Sequence, residues 1–177
     1  MLPPSKYLNL KCAGIDEAGC GCLAGPLVTA VVVWPNNLND ELTHKIKDSK
    51  KCSEKLRYQL KDYIEKNAID YYIYYVNEKE IDKYNILQSR LYSYHKAIDK
   101  LNIKPEFILI DGTYFNKYID KNGNHIPHET VIDGDNTYQC IAAASILAKC
   151  SRDDYMKNLH NKYPQYEWSS NKGYASK

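Results

Sequence analysis

Acidic residues at three places in the sequence could bind a metal ion. Asp16 and Glu17 are adjacent at the end of an apolar segment and lead into a glycine-rich loop. Neighbouring side chains of a strand point to opposite faces, so one of the two should face a core or a cleft, where an unpaired carboxylate is costly unless a cation offsets its charge. Asp111 directly follows another apolar run, and Asp135 precedes a long alanine-rich segment. These four carboxylates form a candidate metal site.

Two of these carboxylates, taken alone, have simpler interpretations. Asp111 precedes a glycine and could be a turn residue, and Asp135 could cap the following helix or interact with its dipole. Cys20 and Cys22 offer a competing metal interpretation, but no second Cys or His pair completes a tetrahedral zinc site. Four hard oxygen donors without such a pair favour Mg²⁺ or Mn²⁺ over zinc.

The elements that position these residues are predicted from hydrophobic periodicity and from Gly and Pro boundaries. The predicted strands are Lys11 to Glu17, Leu27 to Trp34, Ile69 to Val76 and Phe107 to Ile110. The predicted helices run from a Ser53 cap to about Asn67, from Glu78 to Leu101 and from about Thr137 to Leu159. Asn85 is a candidate interruption of the second helix, and a polar loop with Gly123 and Pro127 follows the fourth strand. This order predicts an α/β or α+β domain.

Composition limits the class of protein. A chain of 177 residues with 44% hydrophobic residues is long enough for one domain with its own core and too short for two. No apolar run is long enough to span a membrane, and the first residues lack the pattern of a signal peptide, so we expect a cytoplasmic protein. The net charge of +2 is nearly neutral, so any phosphate-binding surface must be local.

Six strings in the sequence together resemble the ribonuclease HII family, the type 2 ribonuclease H enzymes. They are GIDEAG, LAGPL, DSKK, LIDG, GDN and AAASILAKCSRD, in the family's order from about residue 13 to the C-terminus. The resemblance implies an α/β ribonuclease H-like fold, with a mixed central sheet of about five strands flanked by helices. It also implies an endonuclease that hydrolyses the RNA strand of RNA–DNA hybrids and incises on the 5′ side of ribonucleotides embedded in duplex DNA. Two Mn²⁺ or Mg²⁺ ions would take part, and the products would carry 3′-hydroxyl and 5′-phosphate ends.

The resemblance also implies roles for individual residues. The catalytic and metal-binding carboxylates would be Asp16, Glu17, Asp111 and Asp135. The substrate-binding residues would be Gly19, Cys20 and Gly21, with Lys149 near a substrate phosphate and Tyr174 stacked on the sugar next to the ribonucleotide. Backbone groups of the Gly19–Gly21 loop could hold the 2′-hydroxyl. Asp153 would lie close behind the metal site, on the same helix face as Lys149.

The sequence departs from the family pattern in three places. Cys20 stands where the family usually has a basic residue, and Asp133 stands where bacterial members commonly have Lys. The chain also ends three residues after Tyr174, where relatives usually continue through another helix. Either the chain is truncated or it is a minimal form of the family. We expect a monomer with a single catalytic domain, residues 1–177, in which that C-terminal helical extension is absent.

Two alternatives to the ribonuclease HII interpretation exist. One is another nuclease of the ribonuclease H-like superfamily, which would share acidic clusters but would not need the glycine loop. The other is a hybrid-binding protein that has lost turnover. The presence of all four carboxylates argues against the second, because buried like charges without a metal are destabilising.

Overall fold

A five-stranded mixed sheet is the centre of the structure, a computed structural model that describes residues 1–175. The strands are β1 (Cys12–Ala18), β2 (Leu27–Val33), β3 (Asp70–Val76), β4 (Phe107–Asp111) and β5 (His128–Val131). The helices are α1 (Glu54–Asn67), α2 (Glu78–Asp99), α3 (Gln139–Lys162) and the short α4 (Trp168–Asn171). No helix among residues 1–175 is long and apolar enough to cross a membrane.

The strand order places the carboxyl ends of two strands side by side. The order is β3-β2-β1-β4-β5, in which β1, β2 and β3 are antiparallel while β1, β4 and β5 run parallel. Ile15 of β1 pairs with Ile110 of β4, so Asp16 and Asp111 follow on neighbouring strands at the same edge. This is the edge at which α/β sheets commonly bind ligands.

Helices cover both faces of the sheet. The apolar side chains of α1 and α3 pack with one face, including Ala30 and Val32 of β2. The apolar side chains of α2 pack with the other face, where Ile15 and Val31 lie. A methyl group on Gly14 would lie 2.2 Å from the backbone carbon of Cys140, so the glycine allows α3 to approach β1 closely. That approach brings Ser145, in the second turn of α3, beside Asp16.

Several predicted elements differ from the observed ones. The loop predicted after β4 contains β5, a polar edge strand of four half-buried residues with no apolar alternation to reveal it. The last long helix begins at Gln139 and ends at Lys162, instead of Thr137 and Leu159, and α4 follows it. Asn85 does interrupt α2, with φ of 63° and ψ of 167°.

Candidate active site

The four predicted carboxylates line one cleft of about 260 Å³ at this edge of the sheet. Asp16 and Glu17 come from β1 and Asp111 from the end of β4, while Asp135 lies in the 3₁₀ turn Gly134–Asn136 that precedes α3. The cleft is also lined by Gly19, Cys20, Gly21, Ser49, Lys50, Ser145, Lys149 and Tyr174. The structure thus brings together all the predicted site residues except Asp153.

The two adjacent carboxylates of β1 face opposite sides of the sheet, and yet both reach the cleft. Asp16 is directed towards α3, where the hydroxyl of Ser145 lies beside it. Glu17 is directed towards α2, where the buried hydroxyl of Tyr94 donates to its Oε2 atom. Because β1 ends here, the cleft is open to the side chains of both faces.

Burial, with the charges of neighbouring carboxylates, makes three of the four carboxylates resist ionisation. Burial, followed by the charges of Glu17 and Asp111, raises the pKa of Asp16 well above its usual range. Burial also raises the pKa of Asp111, against the lowering effect of its hydrogen bond from Gly134. Burial and the nearby charge of Asp48 raise the pKa of Asp135 to about 6. A cation bound in the cleft would relieve this repulsion.

Backbone hydrogen bonds orient two of the carboxylates. The Gly134 N–H donates to Oδ1 of Asp111 at 2.8 Å, and the Glu17 N–H donates to Oδ1 of Asp16 at 2.7 Å. A side-chain amide, that of Asn136, donates to Oδ1 of Asp135 at 3.2 Å. Each bond uses one carboxylate oxygen, so the other oxygen keeps its lone pairs for a ligand.

Glu17 is the most firmly held of the four. Besides the Tyr94 hydroxyl at Oε2, its Oε1 atom accepts from the Cys20 thiol at 3.3 Å and lies 3.6 Å from Nη1 of Arg90. The loop residue Cys20 and two residues of α2 thus surround one carboxylate.

The cleft suits a hard divalent cation by the chemistry of its donors. All four carboxylates offer oxygen, the ligand that Mg²⁺ and Mn²⁺ prefer. Within residues 1–175, no group of three or more His, Cys, Asp or Glu side chains is already arranged to hold an ion.

The glycine-rich loop presents its backbone to the cleft. Gly19 has φ of +112°, and a methyl group there would lie 2.6 Å from the Pro26 carbonyl oxygen, so only glycine fits. A methyl group on Gly21 would meet no atom within 4 Å, which leaves that backbone open to a ligand. Cys20, between the two glycines, is exposed.

The buried side chain of Arg152 ties this loop to the C-terminal segment. Its guanidinium donates to the carbonyl oxygens of Ala24, Pro26 and Lys172 at 2.8, 2.9 and 2.7 Å. The Gly173 carbonyl in turn accepts from the Leu23 N–H at 2.9 Å. The segment that carries Tyr174 is therefore fixed to the same loop.

Tyr174 lies half-exposed at the mouth of the cleft, beside two cations. Its ring centroid is 5.5 Å from Nζ of Lys149 and 5.5 Å from the guanidinium carbon of Arg152. Lys149 also forms an ion pair of 2.6 Å with the buried Asp153, which lies 3.8 Å from Arg57. Asp153 thus lies behind the cleft and positions Lys149, as its helix spacing indicated.

Sequence reasoning missed several residues of the site. Ser49 and Lys50 belong to the DSKK string, whose residue types alone indicate no role in the site. Ser49 accepts a hydrogen bond from Ser145 at 3.1 Å. Tyr94 and Arg90 are four apart on α2 and face Glu17. Nothing in their own segment signals this, because the contact depends on how α2 packs on the sheet.

Comparisons with known proteins agree on one family. The family model of ribonuclease HII matches residues 13–177. A ribonuclease HII of Bacteroides thetaiotaomicron is 49% identical over 177 residues, which is 100% of this chain and 84% of that protein.

Two solved structures share the fold. The crystal structure of ribonuclease H2 from Pyrococcus horikoshii OT3 superposes with a TM-score of 0.78 at 31% identity, covering 93% of this chain and 81% of that one. Ribonuclease HII of Archaeoglobus fulgidus, solved in a complex with PCNA, gives a TM-score of 0.76 at 30% identity, covering 95% of this chain and 83% of that one. The ribonuclease H-like fold expected from the motifs is therefore confirmed.

The family match spans nearly the whole chain, and the fold and the acidic cleft agree with it. Identity near one half over the full chain excludes a chance resemblance of short motifs. The chain belongs to the ribonuclease HII family, and it is a metal-dependent endoribonuclease of the ribonuclease H type with activity on RNA–DNA hybrids.

Proposed function

We propose that this enzyme incises on the 5′ side of ribonucleotides, both in RNA–DNA hybrids and at single ribonucleotides embedded in duplex DNA. The products would be 3′-hydroxyl and 5′-phosphate ends. The observation that carries the proposal is the cleft itself, in which four carboxylates, a glycine loop with exposed backbone and Tyr174 face one space. A cleft of that kind can hold a phosphodiester, a ribose and metal ions together.

Asp16, Glu17, Asp111 and Asp135 are the residues that we propose to hold the metal. Two Mg²⁺ or Mn²⁺ ions bound there would activate a water molecule and stabilise the leaving 3′ oxygen. The protein's own part is to set the donors in place: the Gly134 N–H orients Asp111, the Glu17 N–H orients Asp16, and the Tyr94 hydroxyl orients Glu17. The ribonuclease H family is divalent-metal dependent, which supports this assignment.

Discrimination of RNA from DNA is assigned to the Gly19–Gly21 loop and Tyr174. Backbone N–H and C=O groups of the loop would hydrogen-bond the 2′-hydroxyl, and a deoxyribose would leave those groups without a partner. The ring of Tyr174, fixed by the loop contacts of its segment, would stack on the adjacent sugar. Lys149, held by Asp153, would contact a phosphate.

One assay tests this proposal. The wild-type protein is incubated in Mn²⁺ with a DNA duplex that contains a single ribonucleotide and with the matched all-DNA duplex, and the product ends are mapped. We expect incision only at the ribonucleotide, on its 5′ side. Incision elsewhere would indicate another nuclease specificity, and tight binding without incision would indicate a binding protein. Asp111→Asn, which lacks one proposed ligand, is the control and should not cleave.

A further inference from the structure

The cationic side chains around the cleft differ in how strongly they are already bonded to other groups of the protein. Lys149 is paired with Asp153, and Lys51 donates to Asn136 at 2.5 Å. The buried guanidinium of Arg152 donates to three backbone carbonyl groups. These side chains are committed to the protein itself, so an incoming phosphate would have to compete for them.

Arg90 is less fully committed, because its ion pair with Glu17 is long. It projects from α2 into a shallow groove that it forms with Cys20, Ile86 and Leu87, and Cys20 also lines the active-site cleft. Its Nη1 atom approaches Oε1 of Glu17 only to 3.6 Å, beyond the length of a hydrogen bond. Its Nε atom is buried and has no hydrogen-bond partner in the described part of the chain. About a quarter of the side-chain surface remains exposed, so the side chain can be reached from the groove although its Nε atom cannot.

The position of this guanidinium matters because of its neighbour Cys20. The loop between Gly19 and Gly21 carries a thiol, which is ordinarily uncharged at pH 7 and cannot make a charge-assisted contact with a phosphate. A planar guanidinium has five N–H donors in a geometry that matches phosphate oxygens. Arg90 places such a group beside the loop, from a different element of the fold.

We propose that Arg90 is a substrate-binding residue, which contacts a backbone phosphate of the duplex next to the Gly19–Gly21 loop and supplies the charge that Cys20 cannot. This inference rests on the proposed function, since it takes the ligand of the cleft to be a nucleic-acid duplex. Its contact is with the phosphate backbone, so it adds affinity for hybrid and for all-DNA duplex alike.

The other role open to Arg90 is that of a counter-charge for Glu17. The two roles differ in a measurable way. A phosphate contact releases counterions from the duplex and so contributes about 0.9 to the slope of log affinity against log salt concentration. A residue that only positions Glu17 changes turnover but leaves that slope unaltered.

The test measures binding isotherms at several salt concentrations, in Ca²⁺ to suppress turnover, for the wild-type protein and for Arg90→Gln. Both an RNA–DNA hybrid and an all-DNA duplex serve as ligands. We expect Arg90→Gln to weaken binding to both by a similar factor, about tenfold at low salt for one lost charge-assisted contact, and to lower the slope by about 0.9. Lys96→Gln is the matched control on the same helix, because Lys96 lies over the Tyr92 ring, outside the cleft, and its loss should leave the slope unchanged.

Two further variants make the result decisive. Arg90→Lys keeps the charge but loses the planar donors, so it should keep the slope while binding both duplexes more weakly. If Arg90→Gln does not fold, wild-type affinity in Arg90→Lys would overturn the inference. Adding Cys20→Arg to Arg90→Gln should restore both affinity and slope, because the new guanidinium would reach the same phosphate from the loop.

An unchanged slope in Arg90→Gln would overturn the inference, and a double variant without any recovery would overturn the placement of the contact beside the loop. Either result leaves the proposed function standing if the wild-type protein still cleaves at the ribonucleotide. A wild-type protein that neither binds nor cleaves these duplexes would instead refute the proposed function.

Discussion

The raised pKa values of Asp16, Asp111 and Asp135 mean that their ionised forms oppose folding in the absence of metal, and Asp111 shows this clearly. It is half-buried at the end of β4, and burial raises its pKa, with Glu17 adding to the effect. We predict that Asp111→Asn abolishes cleavage and leaves the metal-free melting temperature equal or higher, because removal of one charge relieves repulsion.

Turnover in Mn²⁺ and thermal melting in a chelator measure these two effects separately. Asn keeps the size of the side chain and its acceptor for the Gly134 N–H, so the hydrogen bond at that position is retained. Near-normal turnover in Asp111→Asn would remove Asp111 from the catalytic set.

The residues that could be predicted from sequence are those whose own segment carries the signal. Asp16 and Glu17 interrupt an apolar strand, and Asp111 follows one. Burying an unpaired carboxylate costs free energy, so carboxylates at these positions indicate a bound cation. Tyr94 and Arg90 carry no such signal. They lie in an ordinary amphipathic helix, and only the packing of α2 against β1 brings them to Glu17.

Among the secondary-structure elements, α3 depends most on a single small residue. Gly14 of β1 is in contact with the backbone of α3 at Cys140, where any side chain would clash. We predict that Gly14→Ala lowers the free energy of unfolding by roughly 1–3 kcal/mol or more, as overpacking of a core does. In a protein of this size each kcal/mol corresponds to a fall of about 2–4 °C in melting temperature.

Gly21→Ala is the matched control, because a methyl group there meets no atom within 4 Å. Its melting temperature should stay within about a degree of wild type, since surface substitutions usually change stability little. Equal melting temperatures for Gly14→Ala and Gly21→Ala would show that α3 can shift away from β1 at no cost.

The C-terminal segment can place Tyr174 at the cleft only because it is attached to the glycine-rich loop. Arg152 and the Gly173 carbonyl hold it against the glycine-rich loop, with Tyr174 directed to the cleft. We predict that Tyr174→Ala lowers cleavage at a single embedded ribonucleotide, by up to the ~1–3 kcal/mol that stacking on an aromatic ring contributes.

Single-turnover rates and substrate affinities for Tyr174→Ala, with Tyr174→Phe beside it, measure this contribution. The Phe variant keeps the ring and should retain most of the activity. If Tyr174→Ala cleaves at the wild-type rate, the ring does not contact the substrate.

The elements themselves were predictable to different degrees. The apolar strands and the three long helices follow from periodicity, and their ends differ from the observed ones by only a few residues. The edge strand β5 does not, because its four residues, HETV, are held by parallel pairing with β4 and not by a buried face. A strand of this kind forms through pairing with the adjacent strand, so its own sequence predicts a loop.

At the scale of the whole molecule, a net charge of +2 conceals an acidic cleft with cations at its rim. Lys50, Lys149 and Arg90 stand around a centre of four carboxylates. This arrangement suits a ligand in which a negatively charged backbone meets bound metal ions. The average charge of the chain gave no sign of it, because the pattern exists only after folding.

We propose that the four carboxylates act together as one metal-binding centre. The most direct test is the melting temperature of the wild-type protein and of Asp16→Asn across a series of Mn²⁺ concentrations. A ligand that binds only the folded state stabilises it by about 2.7 kcal/mol at one hundred times its dissociation constant. We predict that the wild-type melting temperature rises steadily with Mn²⁺, while Asp16→Asn begins at an equal or higher value and responds only at much higher concentrations. A wild-type melting temperature that is independent of Mn²⁺, or an equal response in Asp16→Asn, would contradict the account.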